Sequence, residues 1–404
     1  MPGASGTRKA LIAGGGIAGM AAGLAFARAG WEVSLFERAA EFGEVGAGLQ
    51  MSPNASRVLR WLGVFDAVAA SAFRPAAAEM RDGQSGASIY RVDLGEPAEA
   101  RWGAPYLHVH RADLHAILTD AARAAGIEVH TGAVAESYGN RSEGARLKLA
   151  DGTVHTGDVL VAADGLNSAL RRVLNGADAP RFTGQVAWRG TIDATRLPEG
   201  LVLPQATVWA GPGRHLVTYY LRSGRLVNFV AVEERSMEAE EGWAKRGDPS
   251  ELRAAFAGWH ADVSKLLEAV DETFVWGLFE RPEQARWCDG RVVLLGDAAH
   301  AMLPFMAQGA AMALEDVAVL MRRLGEGGGI AEALRAYEDE RFPRVARVQA
   351  QSRSNGLLFH KRTELGRLFS WAPIAAVAWM APSIAAAQLD WLYGHDAVKT
   401  LAPA

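Results

Sequence analysis

The sequence predicts an α/β protein: a Rossmann-like parallel sheet flanked by helices, a second β-sheet layer inserted into it, and helices toward the C-terminal end. Three observations predict this. A short apolar strand, Lys9 to Ala13, runs directly into Gly14-Gly15-Gly16-Ile17-Ala18-Gly19 and a helix. A buried-type strand, Val159 to Ala163, ends in Asp164-Gly165 and runs into Asn167-Ser168-Ala-Leu-Arg171-Arg172. A third apolar run, Val292 to Leu295, stops at Gly296-Asp297 and leads to another helix. Strands that alternate with helices in this way build parallel sheets.

The first unit carries the most information. After the glycines a helix is expected from Met20 to Ala29, with Gly30 as its stop, then a strand from Trp31 to Phe36 that ends in Glu37 and Arg38. This is GxGxxG between a strand and a helix, with an acid about 20 residues on. Gly14 makes the tight turn, Gly16 lets a pyrophosphate approach the backbone beside Ala18, and Gly19 brings helix against strand. Glu37 can accept hydrogen bonds from the ribose hydroxyls of an adenosine. Next comes Gly43-Glu-Val-Gly46-Ala47-Gly48-Leu49-Gln50-Met51-Ser52-Pro53-Asn54. It reads either as backbone lying against a flat ligand or as a flexible loop. A helix follows from Ala55 to Leu62.

Ala76 to Leu94 alternates around a hairpin turn at Arg81-Asp82-Gly83, and Tyr106 to His110 is a short strand. Arg111 then opens a helix running to Ala125. It suits an anionic or carbonyl-rich ligand, or a solvated surface. His108, His110 and His115 cluster in sequence, but neighbouring strand positions point to opposite faces, so no metal site is expected. Ile127 to His130, Ala133 to Tyr138 and Ala145 to Leu149 read as strands.

The middle, Phe182 to Phe279, holds strand-like runs and then helices at Met237 to Ala244 and Ser250 to Val270. It reads as a separate β layer. His215 and Tyr219 are four apart on a strand and share a face. They form either a proton-handling pair or two packed rings with satisfied polar tips. Arg189 and Arg214 are candidates for pairing with a substrate carboxylate, or lie on the surface. Beyond Pro304, Gln308-Gly309-Ala310 opens a helix over Ala311 to Leu324, whose first N–H groups and positive dipole end suit an electron-rich ligand. Ile330 to Lys361 is a long helical stretch, bent or broken at Pro343. Leu368 to Leu389 is uncharged but carries Pro373 and Pro382, and reads as two short buried helices.

Composition bounds the function. The chain has 404 residues, 50% of them hydrophobic, with net charge −4. Its pI is near 6.2. Scattered basic residues argue against nucleic acid as the main partner. The single cysteine, Cys288, excludes an internal disulfide framework and fits a reducing cytoplasm. No signal peptide, membrane partner or metal motif is read. Three strand ends carrying small residues and acids should gather on one side of a parallel sheet. The glycine fingerprint alone accounts for one adenosine diphosphate. The other two ends imply a longer cofactor, and FAD is the economical choice. No second GxGxxG unit offers a dedicated nicotinamide domain.

GGGIAG, VLVAADGLNSALRR and VVLLGDAAHAMLPFMAQGAAMALEDV, in that order and spacing, resemble the single-component flavin-dependent aromatic hydroxylases of the para-hydroxybenzoate hydroxylase type, within them the salicylate hydroxylase-like and 3-hydroxybenzoate 6-hydroxylase-like branch. GAGLQMSPN, Arg111 and the ending LDWLYGHDA also match that branch. The resemblance, which reaches to about Leu358, implies roles at matching positions. Gly14, Gly16, Ala18 and Gly19 would hold the pyrophosphate, and Glu37 and Arg38 the adenosine ribose. Gln50 and Arg111 would lie along the ribityl and phosphate region, and Val134 near the adenine. Asp297 would bind the ribityl chain, and Asp164 would serve FAD and pyridine nucleotide. Gly309 and Ala310 would face the flavin pyrimidine oxygen, with Pro304 beside the reactive edge. His215 and Tyr219 would be a substrate-side pair. The pattern departs once: Ala301 stands where the family has proline after GDAAH.

The implied activity is NADH- or NADPH-dependent hydroxylation by O2, through a flavin C4a-hydroperoxide, of a small phenolic or amino-aromatic acid. The implied enzyme is a monomer or homodimer. A FAD-linked oxidase or reductase on the same fold, and a non-enzymatic nucleotide-binding protein, stay open as alternatives. The expected division is a discontinuous FAD-binding domain over 1-72, 100-178 and 280-360. A substrate domain takes 73-99 and 179-279, and helices take 361-404.

Overall fold

The computed structural model describes residues 7–43, 48–141, 143–177, 180–235, 245–281 and 286–401. A six-stranded sheet runs in the order Cys288–Asp289, Val292–Leu294, Val159–Ala162, Lys9–Ala13, Glu32–Glu37, Glu128–Thr131. Its neighbours are parallel except at the Cys288–Asp289 edge. Central strands of such sheets are covered on both faces, which is why they read as continuous apolar runs. Ala10 to Ala13 and Val159 to Ala162 are fully buried. Helices Ile17–Arg28, Arg111–Ala124 and Gly309–Gly325 pack together over this sheet.

An eight-stranded sheet runs in the order Arg246–Gly247, Thr273–Glu280, Arg181–Asp193, Leu226–Glu234, Arg214–Leu221, Ala206–Gly211, Ala77–Asp82, Ser88–Asp93. The hairpin read at residues 76 to 94 is therefore its edge. The turn is held by the Asp82 carboxylate, which accepts from the Gln84 and Ser85 N–H groups at 2.9 and 2.7 Å. Alternation assigns the two faces. Trp188, Trp209, Leu216 and Phe229 pack against Leu252, Phe256 and Leu266 of two helices. Ala187, Ala210 and Val232 pack instead with Phe305 and Phe359 from the C-terminal third. A three-stranded sheet (Ala135–Arg141, Gly144–Leu149, Val154–Gly157) and the pair Gly48–Met51 with Leu107–His110 complete the strands.

Several expectations are corrected. Helix Ile330–Phe359 runs unbroken through Pro343. Pro343 and Asp339, whose carbonyl loses its helical donor, are both exposed, so water can serve that carbonyl while Tyr337, Arg341, Val345 and Val348 anchor the other side. The 368–389 stretch is not buried. Helix Glu364–Met380 passes through Pro373 and is followed by Pro382–Ala387. Phe369 and Trp379 are 76% and 84% exposed. Among the described residues no helix is long and apolar enough to cross a membrane. The 250–270 stretch is two helices, Pro249–Ala255 and Ala261–Glu268. The helix expected over Met237 to Ala244 lies outside the described residues, as do Gly46 and Ala47.

Candidate active site

Strand register brings the three glycine-bearing ends side by side. Ala13 is paired with Phe36 on one side and Ala162 on the other, and Ala162 with Leu294. The chain then turns at Gly14, where φ is +106° and an added Cβ would lie 2.2 Å from the Ala163 oxygen. At Gly19 an added Cβ would lie 1.8 Å from the Gly14 oxygen. These two glycines are therefore packing requirements. Gly16, Gly165 and Gly309 differ: a Cβ there meets nothing within 4 Å. Those positions face open space, as a backbone cradle for a ligand must.

Glu37 bends back onto the loop, accepting from the Gly15 N–H at 2.6 Å and the Ala39 N–H at 2.8 Å. A carboxylate has about four acceptor sites, so capacity remains for a ribose. Arg38 is exposed beside it. Val134 is 45% exposed, next to Ala133, whose N–H donates to the Glu37 carbonyl at 2.8 Å. The Asp164 carboxylate is already engaged. It accepts from the Ser168 hydroxyl (2.6 Å) and the Ala169 and Leu170 N–H groups (2.9 and 3.3 Å), capping helix Ala169–Asn175. Asp297, by contrast, is exposed at the end of its strand.

Residue matching places 7–352 of this chain in the family described as FAD binding domain.

The chain belongs to the FAD binding domain family.

Its relatives give the chemistry. It is 41% identical over 350 residues to a 3-amino-4-hydroxybenzoate 2-monooxygenase of Streptomyces platensis, covering 86% of this chain and 88% of that one. It is 38% identical over 348 residues to a 6-hydroxynicotinate 3-monooxygenase of Bordetella bronchiseptica, covering 85% and 90%. Klebsiella pneumoniae HpxO, solved with FAD and uric acid, superposes with TM-score 0.82 at 28% identity over 94% of this chain and 96% of that one. The chain is a flavoprotein aromatic hydroxylase with FAD as its cofactor.

Residues that sequence reasoning missed hold the three glycine-bearing loops in place. Asp316, on helix Gly309–Gly325, accepts from the Gly296 N–H (3.1 Å) and bonds His300 Nε2 (2.6 Å). It thereby fixes the Gly296-Asp297 turn. Arg171 joins two loops, donating to the Leu166 carbonyl at 2.9 Å and the Ala298 carbonyl at 3.4 Å. His115 Nε2 lies 2.7 Å from the Gly15 carbonyl. Buried Ser52, Asn54 and Gln308 bond one another and tie residues 52–54 to the start of the Gly309 helix. Asp316, His300, Arg171, Ser52, Asn54 and Gln308 all lie inside quoted motifs and His115 in the histidine cluster, but nothing local signalled these contacts, because most partners lie far along the chain. Among the described residues no cluster could hold a metal ion, and burial with a Glu338 hydrogen bond pushes the Cys288 thiol up to about 12.

The substrate-side candidates separate. His215, Val217 and Tyr219 lie on the sheet face toward Phe305, and Arg189 shares it, its guanidinium 4.7 Å from the Trp276 ring centre. Arg214 does not: it points to the opposite face, its guanidinium 5.9 Å from the Phe256 ring centre. Nor do His215 and Tyr219 form a bonded pair, because four strand residues span about 13 Å. His215 Nδ1 bonds His360 Nε2 at 2.7 Å. Gln50 donates to the Tyr219 hydroxyl oxygen and accepts from the Tyr106 hydroxyl at 2.7 Å. Tyr219 lies against His108 at 4.7 Å between ring centres. Burial raises the Tyr219 phenol well above its ordinary value and lowers His215 well below its own, with nearby His360 adding to the latter.

The eight-stranded sheet and the glycine-bearing loops meet directly. The Gly48 N–H donates to Asn228 Oδ1 at 2.8 Å. Arg222 forks onto Asp113, two residues after Arg111 on the same helix, at 2.9 and 2.7 Å. Phe305, adjoining Pro304, meets the His215 ring edge-on at 5.2 Å.

Proposed function

We propose that this protein inserts one oxygen atom of O2 into a small aromatic acid bearing a ring hydroxyl or amino group, with NADH or NADPH as reductant. The contact of Phe305 with His215 carries this reading. It sets the loop that follows the Gly296-Asp297 turn against the apolar face presenting an imidazole, so a ring held there lies between cofactor and base. FAD supplies the oxygen and redox chemistry when bound. Gly16, Asp297, Gly309 and Ala310 would hold it, with Gln50 and Arg111 along its length.

The chain's own residues do the rest. Val208, Val217, Val230 and Leu303 give an apolar wall that excludes water. His215, kept neutral by burial, accepts the ring hydroxyl proton and makes the ring electron-rich. Tyr219, farther along the same face and held by Gln50, lines the far end of the site. Arg189 pairs with the carboxylate. The relatives act on 3-amino-4-hydroxybenzoate and 6-hydroxynicotinate, which share an acid group and a ring donor. We assign the FAD-binding unit to 1-72, 100-178 and 280-360 and the substrate unit to 73-99 and 179-279.

The test is a screen of hydroxybenzoates, aminohydroxybenzoates and hydroxynicotinates for stimulated NAD(P)H oxidation, with mass spectrometry of products. At least one should gain a single oxygen, and His215→Asn should lower that turnover at least tenfold. Coenzyme oxidation stimulated without any ring oxygenation would favour an oxidase or reductase instead.

A further inference from the structure

Behind His215 a hydrogen-bonded chain leads out of the protein. His215 Nδ1 bonds His360 Nε2 at 2.7 Å, and His360 Nδ1 lies 3.1 Å from Glu234 Oε1. Glu234 is bonded to Arg362. Exposure rises along this line: His215 is 2% exposed, the His360 and Glu234 side chains 4% and 28%, and that of Arg362 72%. The other branch from this face runs from Tyr219 through Gln50 and Tyr106, which is itself buried. His360 caps the end of helix Ile330–Phe359, whose Gly356 lets Phe305 pack close beside it: a Cβ there would come 2.8 Å from the Phe305 ring.

We propose that His360 and Glu234 form the proton path between His215 and solvent, with His360 as a relay residue that does not touch the substrate. This rests on the reading of His215 as the group that meets the substrate hydroxyl. With Nδ1 committed to His360, Nε2 of His215 is the nitrogen that meets the substrate. Its O–H bond breaks and the proton bonds to His215 Nε2. The Nδ1 proton of His215 moves to His360 Nε2, and the Nδ1 proton of His360 moves to Glu234. One proton enters, one reaches the rim, and both imidazoles end neutral. The reverse run reprotonates the hydroxyl of the product and restores the starting tautomers. Gln185 Nε2 also approaches His360 Nδ1, at 3.4 Å. Glu234 is closer and accepts only, which keeps the proton on Nδ1. The charged groups acting on His360 are Glu234, which raises its affinity for a proton, and Arg362 and Arg214, which lower it; burial, the largest effect, together with the two arginines outweighs Glu234. Both rings are thus neutral near pH 7, as the relay requires.

The test mixes FAD-loaded enzyme, without nicotinamide or oxygen, with 3-amino-4-hydroxybenzoate in a stopped-flow instrument. Phenolate formation is read by ultraviolet absorbance and proton release by an indicator dye. His360→Gln keeps a hydrogen bond to His215 but cannot relay a proton. It should bind the probe within threefold of wild type and form phenolate at least tenfold more slowly. Glu234→Gln should slow proton release likewise. Wild-type rates in both variants overturn the relay. If His215→Asn is slow while they are not, the relay alone fails. If His215→Asn is also unchanged, or the wild type forms no phenolate, the reading of His215 fails with it. Should His360→Gln lose FAD, Glu234→Gln decides.

Discussion

His108 shows how a single residue can couple this fold to pH. It is fully buried against the Tyr219, Phe73 and Tyr106 rings, and its ring nitrogens make no well-formed hydrogen bond, only a weak one with the Tyr220 backbone. Burial pushes its imidazole down to about 3. The unfolded chain therefore binds one more proton than the folded chain between that value and the ordinary one. Stability should fall by roughly 1.4 kcal/mol per pH unit below about pH 6.5 from this group, and be unaffected above it. His108→Leu should flatten that limb in thermal unfolding between pH 6.5 and 4; an unchanged slope would count against this account of His108. Residues such as Gly14, Gly16 and Glu37 were legible because backbone geometry dictates them. His108 and His360 were not, because their partners lie on strands and helices far away in the chain.

At the scale of elements, the Asp164-Gly165 strand end, proposed to meet the cofactor, also serves the fold. Its carboxylate takes two first-turn N–H groups of helix Ala169–Asn175 and the hydroxyl of Ser168, the N-cap residue. Asp164→Ala should cost about 1–2 kcal/mol even without FAD, read as a lowered urea midpoint of the apoprotein. A variant that weakens FAD binding with no change in apoprotein stability would show the cap to be idle. Strands were legible from apolar runs and from turn residues such as Asp82. The long C-terminal helices were less so. Proline signals a break locally, but at Pro343 the anchored face of Tyr337, Arg341 and Val345 outweighs it. The exposure of Phe369 and Trp379 could not be read, because an uncharged stretch looks the same whether covered or bare.

At the scale of the molecule, a buried ion network joins the GD turn to the two long helices. Arg341 donates to Asp316 at 2.7 Å and to Glu315 at 2.6 Å, and Arg344 also donates to Glu315, at 2.7 Å. These cations hold the Glu315 carboxyl down to about 2 against the opposing effect of burial. Arg341→Met leaves two buried carboxylates short of a cation and should cost about 3–5 kcal/mol, measured by chemical denaturation. A loss under about 1 kcal/mol would mean that Arg344 and His300 suffice. The gathering of three loops was legible in the sequence, since each strand end carries its own glycine and acid. The closure of the second sheet onto those loops, through Phe305, Asn228 and Arg222, joins segments 90 to 180 residues apart and leaves no local signal. The account depends on one FAD stretched along all three loops, which flavin fluorescence titration of Gly16→Val, Asp297→Ala and Gly309→Leu measures directly. Each variant should bind a single FAD at least tenfold more weakly while the apoprotein melts as the wild type does. Weakening confined to Gly16→Val, with the other two unchanged, would contradict it.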